Sequence, residues 1–148
     1  MKELSKERIN FLKSDFCRGF IQFCQFQAEE IQAGSFHSSL NIKDFHRQQD
    51  GFIHAGVIST MADHTAGYSA FTLLSKEYQI LTVEFKINFL RPAVGNKLIC
   101  RSSVLKGGKQ VIVAESYIYD IYQNQEKLVA KCTVTLIPVL GESLLKLS

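Results

Sequence analysis

Residues 54–74 read HAGVISTMADHTAGYSAFTLL. Apolar or small side chains fill nearly every position, so a helix here has no charged face and has to be buried. Ala55, Gly56, Ala62, Ala66, Gly67 and Ala70 would let a sheet approach it closely. Downstream the period changes from helical to alternating. Val83, Phe85, Ile87 and Phe89 alternate with Thr82, Glu84, Lys86 and Asn88, and the run should stop at Arg91-Pro92. Leu98–Leu105, Val111–Tyr119 and Leu128–Ile137 read as three further strands, the last ended by Pro138. Gly107-Gly108 reads as a two-residue hairpin turn, and Tyr122–Lys127 as a polar connection.

Upstream of the central stretch, Phe26–Ile42 reads as two strands around Gly34, with Phe36, Ser38, Leu40 and Ile42 on one face of the second. Lys43–Ile53 is polar and carries Asp50-Gly51, a loop signal. Ile9, Leu12, Phe16, Phe20 and Phe23 step by three and four behind Ser5, a good N-cap, and Gly19 can divide that stripe into two helices. The order is helix, two strands, one long buried helix, then four strands in a meander. That is an α+β chain, a mostly antiparallel sheet wrapped around one central helix. One domain is expected over 1–148, with a helical segment at about 4–24, a core at about 25–138 and a tail at 139–148.

Composition narrows the function classes. The 148 residues are 46% hydrophobic with nine glycines and two prolines, which excludes disordered and collagenous chains. No run reaches the ~18 apolar residues of a membrane span. The opening MKELSKERINF lacks the apolar core of a secretory signal, so a cytoplasmic protein without a membrane partner is expected. Net charge is +3, from 17 Lys+Arg against 14 Asp+Glu, too mild and dispersed for a nucleic-acid surface. Cys17, Cys24, Cys100 and Cys132 are widely scattered, as free thiols packed like small hydrophobes rather than a disulfide frame. His37, His46, His54 and His64 fall in no ligand spacing, so neither metal nor cofactor is expected.

Asp63 stands out chemically. It lies amid Met61, Ala62 and Ala66, and no Lys or Arg occurs between Arg47 and Lys76 to pair with it. A buried carboxylate without a local cation is costly, so it reads either as catalytic or as a structural group finding distant partners. His54, Ala55 and Gly56 open the helix, where first-turn N–H groups lack internal acceptors and could polarise a carbonyl oxygen. The plainer reading is that His54 caps the turn and Gly56 permits close packing. His64 points to another helix face and reads as a packed or interface residue.

Taken together, DGFIHAGVISTMADHTAGYSA (50–70) and TVEFKINFLRPAVG (82–95) resemble the PaaI-like group of hot-dog-fold acyl-CoA thioesterases. LKGGK (105–109) and KLVAKCTVT (127–135) fit the same group, and the likeness spans roughly residues 20 to 138. The resemblance implies a sheet wrapped around a central helix, and hydrolysis of an acyl-CoA thioester without a cofactor. It implies Asp63 as general base or nucleophile, and the Ala55 N–H as the donor to the thioester carbonyl beside His54 and Gly56. Thr82 falls at a Ser/Thr position that holds water or substrate, and Gln48 near an Asn/Gln that orients the thioester. Phe89, Leu90, Arg91, Pro92 and Ala93, with Lys106, Gly107, Gly108 and Lys109, match regions that hold coenzyme A. One departure stands out: the family's His-Gly-Gly is His-Ala-Gly here, so a methyl group borders the carbonyl site. The resemblance further implies a homo-oligomer, dimer or tetramer, with sites at the subunit boundary. Acyl specificity would be set near Tyr68, Phe71 and the N-terminal aromatic residues. Two other functions compete. A hot-dog dehydratase needs a His–acid pair whose usual motifs are absent, and a non-catalytic acyl-CoA-binding module has no need of Asp63.

Overall fold

The computed structural model describes residues 3–146; the ends of the expected domain, 1–2 and 147–148, lie outside the described residues. Helix α1 (Lys6–Phe16) starts at Ser5, whose Oγ accepts the Arg8 N–H at 3.1 Å, and it buries Leu12 and Phe16. Gly19, at φ +59°, separates it from the short α2 (Phe20–Cys24). The turn at Gly19 rotates the apolar stripe out of register. Ile21 is the buried residue of α2, whereas Phe20 and Phe23 are 65% and 76% exposed, so the expected stripe ends at Phe16.

Strands β1 (Gln27–Gln32) and β2 (Ser35–Asn41) form a hairpin turned at Gly34, φ +77°. A loop with one 3-10 turn (Asp44–His46) leads to α3 (Ala55–Phe71). Strands β3 (Tyr78–Phe89), β4 (Lys97–Lys106), β5 (Ile112–Tyr122) and β6 (Gln125–Leu140) follow, then a final turn of helix, α4 (Gly141–Leu145). The six strands form one sheet in the order β1-β2-β4-β5-β6-β3, antiparallel throughout. The expected four-strand meander is therefore only three strands long. β3 crosses the sheet to pair with β6 at the far edge.

Two turn assignments also change. The β4–β5 connection takes five residues, 107–111, and neither of its glycines has positive φ. Gly108 is needed for closeness instead, since a Cβ there would lie 2.5 Å from the Val111 carbonyl oxygen. The two-residue turn is Gln123-Asn124, with φ +51° and +59°, so the strands reach into the segment read as a polar connection. β6 also passes through Pro138, which faces Ile80 of β3 beyond the point where β5 has begun at Ile112, opposite Leu136. One side of β6 has no ladder to lose there, which is where a strand tolerates proline.

The sheet curls around α3. Inward residues of β5 (Ile112, Ala114, Ser116, Ile118) and β6 (Ala130, Cys132, Val134, Leu136) are buried, as are Met61, Ala62, Thr65, Ala66, Ser69 and Ala70 of the helix. Small residues allow the backbones to approach closely: Ser116 Oγ donates to the Ala62 carbonyl at 2.7 Å, and Ser38 and Thr65 hydroxyls meet at 2.7 Å. All four cysteines are free; Cys100 and Cys132 are buried, but Cys17 and Cys24 are only half-buried. β3, like β1, is an edge strand with one side paired, and it differs in leaving large apolar side chains open: Val83, Phe85 and Phe89 are 59%, 41% and 49% exposed. No helix of the described residues is long and apolar enough to cross a membrane.

Candidate active site

α1 fixes the helix that carries Asp63. Arg8 Nη2 donates to the carbonyls of Phe71 and Leu74 at 2.9 and 3.0 Å, where α3 ends and its last carbonyls lack helical donors. Tyr68 donates its hydroxyl to Asp15 at 2.8 Å, and His64 Nε2 lies 3.0 Å from the Phe16 carbonyl, so its N–H points there. Burial holds His64 below the usual imidazole range, in its neutral form. These three links join α1 to one face of α3.

Asp63 lies on the neighbouring face, opposite β3. Thr82 Oγ1 donates to Asp63 Oδ1 at 2.7 Å. None of the ion pairs among the described residues includes Asp63. Burial pushes its carboxyl above the ordinary range, and the Thr82 hydrogen bond pulls partly the other way. Its charge is felt on the sheet beneath: the Cys132 thiol is pushed up to about 12, first by burial and then by the Asp63 carboxylate.

At the start of α3, His54 is the N-cap and its Nδ1 accepts the Gly56 N–H at 2.8 Å. Val57 and Ile58 N–H groups turn back to the His54 carbonyl. The Ala55 N–H has no acceptor among the described residues, and it is the open donor of this helix end. Gly56 is required by the cap itself, because a Cβ there would meet His54 Nδ1 at 2.9 Å. Ala55 stands eight residues before Asp63, about 12 Å along a helix axis. A single thioester carbon cannot touch both groups of one chain.

The predicted residues gather in three places rather than one. Asp63 lines two adjoining clefts, one of about 610 Å³ with Gly56 and Phe85, the other of about 220 Å³ with Tyr68 and Thr82. Ala55 borders a third, about 340 Å³, together with Phe89, Leu90, Arg91, Pro92 and Ala93. Arg91 is already engaged there, donating to the Leu128 carbonyl at 2.8 Å. Gly107, Gly108 and Lys109 border a fourth, about 690 Å³, past the C-terminal end of α3, with Lys106 beside them at the end of β4. Gln48 joins none of these clefts: its side chain accepts the Asp50 N–H within its own loop. Arg18 was not foreseen; it lines the larger cleft beside Asp63 together with Phe20, one of the N-terminal aromatic residues, and His64, whose sequence reading is a packed or interface residue. Among the described residues, no three His, Cys, Asp or Glu side chains converge as metal ligands.

A curled six-stranded antiparallel sheet around one long helix is the hot-dog fold. Residues 50–130 match the Thioesterase superfamily, and the chain belongs to that family. A thioesterase family protein from Silicibacter pomeroyi superposes with a TM-score of 0.86 at 32% identity, covering 90% of this chain and 98% of its own. A thioesterase from Haemophilus influenzae shares the fold, with a TM-score of 0.78 over 94% of this chain and 93% of its own at 19% identity. A relative from Saccharolobus solfataricus that carries a provisional esterase name is 28% identical over 102 residues, 69% of this chain and 67% of that protein.

Proposed function

We propose that the chain hydrolyses acyl-CoA thioesters in the PaaI-like manner, with Asp63 as the reacting carboxylate. The observation that carries this reading is the Asp63–Thr82 pair, a carboxylate raised by burial, held by a hydroxyl and open to a cleft. Asp63 takes a proton from a water that attacks the thioester carbon. The carbonyl oxygen gains charge, which the Ala55 N–H of a second copy stabilises. Collapse of the tetrahedral intermediate breaks the C–S bond, and the thiolate of coenzyme A receives the proton. In the nucleophilic variant Asp63 itself attacks, coenzyme A leaves, and water then hydrolyses the mixed anhydride. No cofactor is needed by either route.

The separation of Ala55 from Asp63 within one chain supports a site shared between two copies. The open edge of β3 supports the same arrangement, since it bears Val83, Phe85 and Phe89 with no cover. Coenzyme A would lie against Phe89–Ala93 of one copy and the Gly107 turn of the other, with Lys106 and Lys109 meeting phosphates. A dimer is the minimum, and a tetramer doubles it.

The deciding measurement is thiol release from acetyl-, octanoyl- and benzoyl-CoA by the wild type and Asp63→Asn. The amide keeps shape and the Thr82 contact, so circular dichroism should be unchanged while the rate falls about 10²–10⁴-fold. An equally active, folded Asp63→Asn protein removes the catalytic assignment. Tight binding of acyl-CoA without turnover in the wild type would identify a non-catalytic binding module instead.

A further inference from the structure

The two clefts that meet at Asp63 differ in chemistry, and the difference orients the substrate. They follow one another along the groove between α3 and β3. The smaller lies beside Tyr68 and Gln79, and the larger beside Gly56, Thr60 and Phe85, with Asp63 between them. The cleft at the Gly107 turn continues past the smaller one, beyond the end of α3. The smaller cleft sets Asp15, Tyr68, Gln79 and Thr82 beside Phe71 and Ile80. The Tyr68 and Thr82 hydroxyls donate to Asp15 and Asp63, and the Gln79 amide makes no side-chain hydrogen bond among the described residues.

The larger cleft is lined by Phe20, Ile21 and Phe85, and most of its polar groups are engaged within the chain. Ser59 and Thr60 hydroxyls donate to the carbonyls of Ala55 and Gly56, both at 2.8 Å. Arg18 is paired with Asp15 at 3.2 Å, His64 is turned to the Phe16 carbonyl, and the Gly56 N–H is held by His54. Arg18, with 76% of its side chain exposed, keeps its remaining donors at the solvent rim of the cleft. A ligand with one amide-rich arm and one apolar arm has a single matching orientation here.

We infer that the larger cleft is the acyl subsite, taking an apolar acyl group of medium-chain or aryl size, and that Phe20 of α2 is its specificity-determining wall. This rests on the thioesterase reading, with the phosphates of coenzyme A at the Gly107 turn and its pantetheine amides along the smaller cleft. Phe20 is 65% exposed within its own chain, an aromatic ring left uncovered at the rim of the cleft. An acyl chain would cover it. Phe23, one turn later and 76% exposed, lines none of the four clefts and serves as the matched control.

Two readouts on Phe20→Ala and Phe23→Ala test the assignment. The first is kcat/KM for octanoyl-CoA relative to acetyl-CoA. The second is calorimetric binding of coenzyme A, acetyl-CoA and octanoyl-CoA, each Phe variant being made in Asp63→Asn so that no turnover interferes. Octanoyl-CoA is expected to bind at least about tenfold more tightly than acetyl-CoA. Phe20→Ala should erase that preference and lower the kcat/KM ratio by a similar factor, whereas Phe23→Ala should leave both in place. No preference for octanoyl-CoA, or one untouched by Phe20→Ala, overturns the subsite whatever the turnover. If the Phe20-dependent preference appears but the wild type releases no thiol, the subsite stands and the hydrolase reading is the one that fails.

Discussion

At the scale of single residues, the proposed chemistry depends on how one carboxylate is held. Burial raises the Asp63 carboxyl and the Thr82 hydroxyl lowers it. The proposed mechanism needs the ionised form, so the rate should fall as pH drops through a value above the usual carboxylate pKa of about 4. Thr82→Val removes the opposing contribution, and the acid limb of its pH–rate profile should move upward. A limb that stays in place would mean that Thr82 does not influence the reacting group. Asp63 was legible in the sequence because nothing basic surrounds it for a full helix. Gln48 illustrates the limit of that reading. Its loop position was correctly read, but whether a side chain turns to its own backbone is decided by the Asp50 N–H two residues on, which spacing does not reveal.

At the scale of elements, α1 acts as a brace on α3. Arg8 satisfies two carbonyls at the helix end and stacks over Phe71, 4.5 Å from the ring centroid. Arg8→Ala should cost about 1–2 kcal/mol, the lower part of the range for charge-assisted bonds because the side chain is partly solvated. A melting temperature lower by several degrees would register this, and Arg8→Lys should not restore it, since a point charge cannot reach both carbonyls as a planar fork does. Every strand, and every helix but α4, which lies in the segment read as a tail, could be read from periodicity and turn residues. Their partners could not. Alternation in residues 82–89 identifies a strand but is silent on whether β4 or β6 lies beside it, and the answer depends on the length of the crossover. The same limit explains Phe20 and Phe23, whose three-residue spacing continues the α1 stripe on paper until the positive φ of Gly19 redirects it.

At the scale of the whole molecule, the proposed division of the site between copies makes a complementation forecast. Ala55→Pro deletes the open N–H at the first helical position, where proline is well tolerated and where the extended His54 suits a following proline. Ala55→Pro and Asp63→Asn should each be nearly inactive alone. Co-expressed, half of the randomly paired dimers would carry one intact site of two, restoring about a quarter of wild-type activity. No recovery would overturn the shared site with Ala55 and Asp63 in these roles. The late partner of β3 has a further consequence, during synthesis. β3 ends at Phe89, whereas β6, its only strand partner among the described residues, begins at Gln125 and ends at Leu140. At about 5–20 residues per second, the strand leaves the ribosome seconds before it can be zipped into the sheet. Through that interval Val83, Phe85, Ile87 and Phe89 are a ready template for aggregation, and the charges of Glu84 and Lys86 interrupt them. Replacing both charges with valine should move newly made protein into the insoluble fraction, even where the pure refolded variant melts no lower than the wild type.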